Sequence, residues 1–228
     1  ILPFEKEFFE SKHNYPVKFL GHPLADSIYN FKTNNISSNK LITTDKKPII
    51  ASLTGSRKQE IKKILNTVIE TVECFKEYQF IVAGAPNIEL SYYTSIIKNK
   101  KIKVIENKTY ELLSVSYAAI VTSGTATLET ALFKVPQVVC YKSSYFSFVI
   151  AKLIVNIKYI SLVNLIMDQE IVKELIQHDC NKNKITKELK KILDLNHRKS
   201  LKVKYDELTS ILGNFGTSKR VALDIITK

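Results

Sequence analysis

The feature that most constrains the fold of this chain is a pattern that occurs twice: a short apolar run, a glycine-containing loop and then a helix. Residues 49–53 precede Thr54-Gly55-Ser56-Arg57, and a helix with one apolar stripe follows, formed by Ile61, Ile64, Leu65, Val68, Ile69 and Val72. Residues 118–121 precede Ser123-Gly124-Thr125, and Leu128, Ala131 and Leu132 then repeat at helical spacing. With further strands predicted at 80–83, 103–105 and 137–141, the alternation predicts an α/β fold: a Rossmann-like parallel sheet with helices on both faces.

The second of these loops has the character of a phosphate site. The first amides of a helix have no partner within it, and the helix dipole leaves its N-terminus partly positive. Gly124 allows close approach, the hydroxyls of Ser123 and Thr125 add donors, and Glu129 lies one helical turn beyond Thr125, where a carboxylate could accept hydrogen bonds from ribose hydroxyls. The alternative is a capped helix that binds nothing. Because both glycine loops follow strands of a parallel sheet, we expect them at the edge where such sheets bind ligands.

The chain is basic, with a formal net charge of +12 and a pI of about 9.4. Excess lysine attracts nucleic acid, anionic lipid or phosphorylated ligands, although a composition rich in Lys, Asn and Ile throughout explains the charge equally well. The basic residues are dispersed, without an arginine-rich run or zinc-finger spacing, so we expect no nucleic-acid partner. Cys74, Cys140 and Cys180 are far apart and odd in number, which predicts a reducing compartment and neither disulfides nor a metal cluster.

The remaining segments give a coarser prediction. Phe8 and Phe9 lie on a predicted short helix, residues 17–20 are a predicted strand, and residues 30–47 form a polar linker or loose loop. Helices are predicted at 91–97, 110–117, 170–177 and 184–193, with a further stripe formed by Leu201, Tyr205, Leu208 and Leu212. Residues 143–158 are apolar, aromatic and basic, typical of either a core helix or a helix on a membrane surface. Thr217 or Ser218 is expected to cap a last helix through Ile226.

One polar residue interrupts the apolar run at residues 159–165. A buried Asn164 needs hydrogen-bond partners, so it either ties down a loop or contacts a ligand.

Several motifs in one order resemble those of the lipid-A-disaccharide synthases, a family of GT-B glycosyltransferases. They are Ile1-Leu2-Pro3-Phe4-Glu5, Gly21-His22-Pro23, Gly55-Ser56-Arg57 with Glu60, residues 123–129, residues 159–165 with Asn164, and the ending from Leu212-Gly213 to Ala222. The resemblance runs from residue 1 to 228 and implies the C-terminal, nucleotide-binding half of a GT-B fold. It divides the chain into the end of an N-terminal domain with the interdomain crossing (1–25), a linker (26–48), a UDP-sugar-binding domain (49–196) and C-terminal helices that cross back (197–228).

The resemblance implies a hexosyltransferase. The reaction transfers 2,3-diacylglucosamine from UDP-2,3-diacylglucosamine to 2,3-diacylglucosamine 1-phosphate (lipid X), forms the β-1,6 lipid A disaccharide, releases UDP and uses no metal or other cofactor. The residues implied to hold UDP are Gly55, Ser56, Arg57, Ser123, Gly124, Thr125, Ala126, Glu129 and Asn164. Arg57 is implied to neutralise charge on the leaving UDP, while the general base belongs to the N-terminal half, so this chain alone is expected to be inactive. Two positions depart from the family pattern, because Thr54 and Val163 stand where prolines are usual.

The same resemblance implies a cytoplasmic, peripheral location on the inner face of the inner membrane of a Gram-negative bacterium, in contact with anionic lipid. It also implies a homodimer through swapped C-terminal helices. His22 lies either at the interdomain crossing or simply stabilises a turn. The alternatives are an isolated nucleotide-binding module, an inactive remnant, or another GT-B enzyme that acts on a UDP-sugar.

Overall fold

A parallel β-sheet forms the centre of the molecule. The computed structural model describes residues 2–34, 46–98, 101–142, 158–213 and 215–227. Within them the sheet has six strands: β1 (Ile49–Leu53), β2 (Gln79–Gly84), β3 (Ile102–Glu106), β4 (Ser116–Thr122), β5 (Gln137–Tyr141) and β6 (Lys173–Ile176). Their spatial order is β3-β2-β1-β4-β5-β6 and all neighbours are parallel, so the predicted Rossmann-like sheet is confirmed.

Helices cover both faces of this sheet. Their bounds are α1 (Pro3–His13), α2 (Pro23–Asn34), α3 (Lys58–Val72), α4 (Leu90–Ile96), α5 (Thr109–Val115), α6 (Thr125–Leu132), α7 (Leu162–Met167), α8 (Lys182–Leu193), α9 (Leu195–Leu212) and α10 (Thr217–Ile226), with a 3-10 turn at Gln177–Asp179. None of the helices within the described ranges is long and apolar enough to cross a bilayer.

Alternate residues of each strand point to opposite faces, and this separates the core into layers. Ile50, Val82 and Ile120 pack with the apolar stripes of α3 and α8 on one face. Ala51, Ile81 and Val121 pack with α5 on the other face, next to a cluster that joins α2, α6, α7 and α9. The predicted stripe of α3 is almost wholly buried, and each of its large side chains contributes roughly 1.5–3 kcal/mol of transfer free energy.

Some predicted elements are wrong. Residues 14–22 contain no strand, because the main chain at 17–20 crosses towards α10, where the carbonyl of Leu20 accepts a hydrogen bond from Nε of Arg220. Residues 30–34 belong to α2 rather than to a loose loop, and residues 35–45 lie outside the described residues. The predicted helix at 170–177 is instead β6, because pairing with β5 overrides its ambiguous periodicity.

One further boundary differs from the prediction. The predicted helix at 110–117 ends at Val115, since Ser116 and Tyr117 begin β4. The apolar segment at 143–157 lies outside the described residues. Cys140 and Cys180, far apart in sequence, meet in the core as free thiols, where the hydrogen bond between them and burial raise the pKa of Cys140.

The last helix is capped by a residue that the sequence did not indicate. Neither Thr217 nor Ser218 caps α10 with its side chain; the N-cap is Gly216. The carboxylate of Asp26, on α2, accepts hydrogen bonds from the amides of Gly216 (2.7 Å), Thr217 (3.1 Å) and Ser218 (2.8 Å). A carboxylate with three amide donors satisfies the orphan groups of a helix start, so α2 fixes the position of α10.

His22 stabilises a turn. Nδ1 of His22 accepts a hydrogen bond from the amide of Leu24 (3.2 Å), and the backbone amide of His22 donates to the carbonyl of Leu212 (2.9 Å). Of the two interpretations of His22, turn stabilisation describes these contacts.

Candidate functional site

The two glycine loops lie side by side at the carboxyl edge of the sheet. Leu53 pairs with Val121, so the loops that follow β1 and β4 start next to each other. A Cβ added at Gly55 would be 3.3 Å from Cγ2 of Thr122, which shows how closely the first loop approaches β4. The strand order reverses between β1 and β4, and this switch point is where open α/β sheets bind ligands. The predicted convergence of the two loops is confirmed.

The second loop leaves two helix amides open. Gly124 is exposed, with φ 142° and ψ −163°, and a Cβ added there would meet none of the described atoms within 4 Å. Both the amide and the hydroxyl of Thr127 donate hydrogen bonds to the carbonyl of Gly124, at 3.1 Å and 2.7 Å. The amides of Thr125 and Ala126, the first two residues of α6, therefore have no acceptor among the described residues. An anion fits such a position because the helix dipole adds to the hydrogen bonds.

The hydroxyl of Ser123 fixes a neighbouring segment. Its Oγ donates to the carbonyl of Ile160 (2.7 Å), and its amide donates to the carbonyl of Cys140 (3.0 Å). The carboxylate of Glu174 holds the same segment, because its two oxygens accept hydrogen bonds from the amides of Ile160 and Ser161, both at 2.9 Å. Glu174 is a residue that sequence reasoning missed, since no local pattern connects β6 with this loop.

Asn164 is fully buried and its side-chain amide is fully used. Its Nδ2 donates to the carbonyl of Val172 and to Oε1 of Glu174, both at 2.8 Å. Its Oδ1 accepts hydrogen bonds from the amides of Ile171 (2.8 Å) and Val172 (2.9 Å). Of the two interpretations, a tied-down loop describes this arrangement, because an amide side chain has no further hydrogen-bonding positions. A contribution of Asn164 to UDP binding stays a prediction, and it is an indirect one.

Glu129 is half-buried beside a tyrosine. The hydroxyl of Tyr110, on α5, donates to Oε1 of Glu129 at 2.9 Å. Burial raises the pKa of Glu129, although the hydrogen bond from Tyr110 counteracts part of this increase. Burial also raises the pKa of Tyr110, and the negative charge of Glu129 reinforces that increase. Tyr110 is the second residue that the sequence did not reveal, because it lies on a different helix from Glu129.

The side chain of Arg57 is largely exposed to solvent. Its side chain is 82% exposed, and Nη1 lies 3.3 Å from Oε1 of Glu60. Such an exposed ion pair contributes at most about 1 kcal/mol, so the guanidinium can reorient towards a ligand at little cost. Two neighbours hold the backbone of this loop: Nδ2 of Asn87 donates to the carbonyl of Ser56 (3.3 Å), and the hydroxyl of Tyr92 donates to the carbonyl of Lys58 (2.7 Å).

A polar pocket lies next to this first loop. It has a volume of about 390 Å³ and is lined by Lys58, Asn87, Glu89, Ser91, Tyr92 and Ser95. A larger and mostly apolar cavity of about 820 Å³ lies away from the glycine loops, between residues 15–23 and α10. Size alone therefore does not identify the site; the strand order and the open amides do.

The chain is similar to several known proteins in sequence and to several solved structures in fold. The chain is 32% identical to a lipid-A-disaccharide synthase of Anaeromyxobacter dehalogenans (99% of this chain, 61% of the relative), 33% to that of Persephonella marina (97% and 62%) and 33% to that of Coxiella burnetii (97% and 60%). It thus spans about three-fifths of the length of these relatives. Similar solved folds include the S. aureus MnaA–UDP co-structure (TM-score 0.59, 17% identity, 97% of this chain and 58% of that chain). They also include the UDP-GlcNAc 2-epimerase of Neisseria meningitidis bound to UDP-GlcNAc (0.56, 14%, 92% and 55%) and the calicheamicin glycosyltransferase CalG4 (0.56, 9%, 80% and 43%).

These folds agree with the C-terminal half of a GT-B glycosyltransferase. The family model for lipid-A-disaccharide synthetase matches residues 1–223, nearly the whole chain. The chain therefore belongs to the lipid-A-disaccharide synthetase family.

Proposed function

We propose that this chain is the UDP-sugar-binding part of a hexosyltransferase that makes the lipid A disaccharide. The reaction transfers 2,3-diacylglucosamine from UDP-2,3-diacylglucosamine to the 6-hydroxyl of 2,3-diacylglucosamine 1-phosphate and releases UDP. The observation that carries this proposal is the open N-terminus of α6 at the switch point of the sheet, with Glu129 one turn further along, in a chain of this family. The similar folds solved with UDP or UDP-GlcNAc support a nucleotide in this position.

Each part of the nucleotide is matched to residues with suitable hydrogen-bonding chemistry. The diphosphate accepts hydrogen bonds from the amides of Thr125 and Ala126, with Gly124 allowing its approach. The ribose hydroxyls donate to Glu129. The loop of Gly55 and Ser56 borders the diphosphate from β1, and Ser123 and Asn164 support the site through the segment at 160–174.

Arg57 acts on the leaving group. As the bond between the sugar and the diphosphate breaks, negative charge develops on UDP. The amides at the start of α6 are fixed before the reaction, and the guanidinium turns towards the diphosphate when the nucleotide binds. Both then lower the barrier by stabilising this negative charge. The exposed position of Arg57 supports this role, since its weak ion pair with Glu60 is easily exchanged for a phosphate. The general base and the acceptor site belong to the part of the relatives that this chain does not span, and the proposed reaction uses no metal or other cofactor.

The surroundings of the enzyme follow from its charge and its acylated substrates. We propose a cytoplasmic location at the inner face of the inner membrane, where a chain of net charge +12 is attracted to anionic lipid. Exposed apolar residues on α10, among them Leu223 (50%), Ile225 (71%) and Ile226 (78%), support a covered position of the C-terminal helices. A homodimer that exchanges these helices is one way to cover them.

Binding of UDP by calorimetry tests the nucleotide site. We expect this chain to bind UDP, and Arg57→Ala and Glu129→Gln each to weaken the affinity by about tenfold or more, as loss of a charge-assisted hydrogen bond implies. Lys190→Ala, an exposed cation on α8, is the control for a general loss of positive charge and should bind as the unaltered chain does. If a folded chain binds no UDP, or if Lys190→Ala weakens binding as much as Arg57→Ala, the proposed site is wrong.

Competition between donors tests the substrate. With the protein bound to vesicles of anionic lipid, UDP-2,3-diacylglucosamine should displace UDP more effectively than UDP-N-acetylglucosamine does. The reason is that the proposed enzyme acts on an acylated sugar. Equal displacement would favour another enzyme that acts on a UDP-sugar, such as an epimerase. When the acceptor is added to this chain with its donor bound, we expect no release of UDP. This result would agree with a catalytic base that lies elsewhere.

A further inference from the structure

A tyrosine hydroxyl points at the carboxylate that the proposed function assigns to the ribose. The hydroxyl of Tyr110 is 2.9 Å from Oε1 of Glu129, and among the described residues no partner contacts Oε2. A carboxylate offers about four lone-pair positions on its two oxygens, so one oxygen is held while the other stays available.

The ring of Tyr110 is itself held in place. Its centroid lies 5.5 Å from that of Phe31 on α2, edge to face, and 5.3 Å from that of Phe133, which follows α6. Phe31 and Phe133 also contact each other edge to face at 5.7 Å. Three mutually packed rings leave the hydroxyl little freedom, so the direction of its hydrogen bond is set by packing and not by Glu129 alone.

We infer that Tyr110 is a positioning residue that fixes the Glu129 carboxylate for the two ribose hydroxyls, and that the pair makes the site select a ribonucleotide. This inference rests on the proposed function. A carboxylate whose plane is fixed before binding loses less rotational freedom when the diol arrives, and this increases the affinity for a ligand that has both hydroxyls. A nucleotide without these hydroxyls gains nothing from Tyr110, because it offers no donor to the other oxygen of Glu129.

The alternative is that Tyr110 only packs α5 against α2. Phenylalanine preserves the ring contacts, so in that case Tyr110→Phe would bind each of the two nucleotides as tightly as the unaltered chain does. A preference between two ligands that differ only in the ribose is therefore the measurement that separates the two roles.

The experiment compares UDP with 2′,3′-dideoxyuridine 5′-diphosphate by calorimetry on the full chain. We expect the unaltered chain to prefer UDP by about 10- to 100-fold, the range for hydrogen bonds to a charged group. Tyr110→Phe should reduce this ratio by about threefold or more through weaker UDP binding, with the dideoxy ligand bound as before. Tyr78→Phe removes a hydroxyl just before β2, at the opposite edge of the sheet, and should leave the ratio unchanged.

A cycle with Glu129→Gln completes the test. If Tyr110 acts through Glu129, Tyr110→Phe has no further effect on the ratio once Glu129→Gln has removed the carboxylate. An unchanged ratio in Tyr110→Phe, or an equal loss for both ligands, would overturn the inference while the nucleotide site stands. Failure of the unaltered chain to bind UDP would instead refute the proposed function, and this inference with it.

Discussion

Replacing Gly124 by alanine separates the cost to the fold from the cost to the ligand. Gly124 has φ 142° and ψ −163°, a backbone region that is almost exclusive to glycine. Alanine there costs about 1–3 kcal/mol of strain, and no steric term is added, because its Cβ meets none of the described atoms within 4 Å. For a chain of this size about 1 kcal/mol corresponds to about 2–4 °C, so we expect the Tm to fall by about 2–12 °C.

The effect on UDP should be much larger than the effect on stability. The added Cβ would extend into the open space at this loop, where the proposed diphosphate approaches the start of α6, and should displace it. Two hydrogen bonds to a charged group are worth about 1.5–3 kcal/mol each, so UDP should bind about 10²- to 10⁴-fold more weakly. Calorimetry with UDP and a thermal melt on the same sample measure the two effects.

Gly216→Ala provides the matched control. Gly216 also has a positive φ, 96°, but it lies at the start of α10, away from the glycine loops. This variant should lower the Tm by a similar amount and keep the affinity for UDP. If Gly124→Ala instead keeps its affinity within about threefold, the diphosphate does not lie at α6 and the reasoning is refuted. A Tm that does not change would refute the strain argument.

The further predictions concern three carboxylates. Asp26→Ala leaves the amides at the start of α10 without an acceptor and should lower the free energy of unfolding by about 1–3 kcal/mol in denaturant melts. Burial raises the pKa of Asp26, but its amide hydrogen bonds outweigh burial and hold that pKa low; this stability should therefore be present above pH 3.8 and lost as the pH falls through the lowered pKa. Glu129 behaves oppositely, because its raised pKa means that the folded state binds the proton more readily than the unfolded state does. Falling pH should therefore relieve the cost of burying the Glu129 charge. It should also reduce the preference for UDP over the dideoxy ligand, as measured by calorimetry at several pH values. Glu174→Ala should weaken UDP binding without contacting UDP, because the segment at Ile160 loses its support; equal affinity in a titration would contradict this.

The sequence determined most elements of the sheet and the place where the two glycine loops converge. The stripe of α3 and the apolar runs of β1 and β4 are local patterns, and they predicted the elements that the structure has. The convergence of the loops at Gly55 and Gly124 was also predictable, because the carboxyl ends of parallel strands meet at one edge whatever the side chains are. The motifs that resemble those of the family also predicted that the chain belongs to it.

Only the tertiary structure decided which side chains support these loops. Asp26 caps α10 from a position 190 residues before its N-cap Gly216, and Tyr110 and Glu174 approach the site from elements that no sequence pattern links to it. The helix predicted at 170–177 is a strand for the same reason, since pairing with β5 outweighs local preference. Local periodicity reports which face of an element is buried, whereas a hydrogen bond between distant residues depends on how the elements pack, and the chain order does not record that.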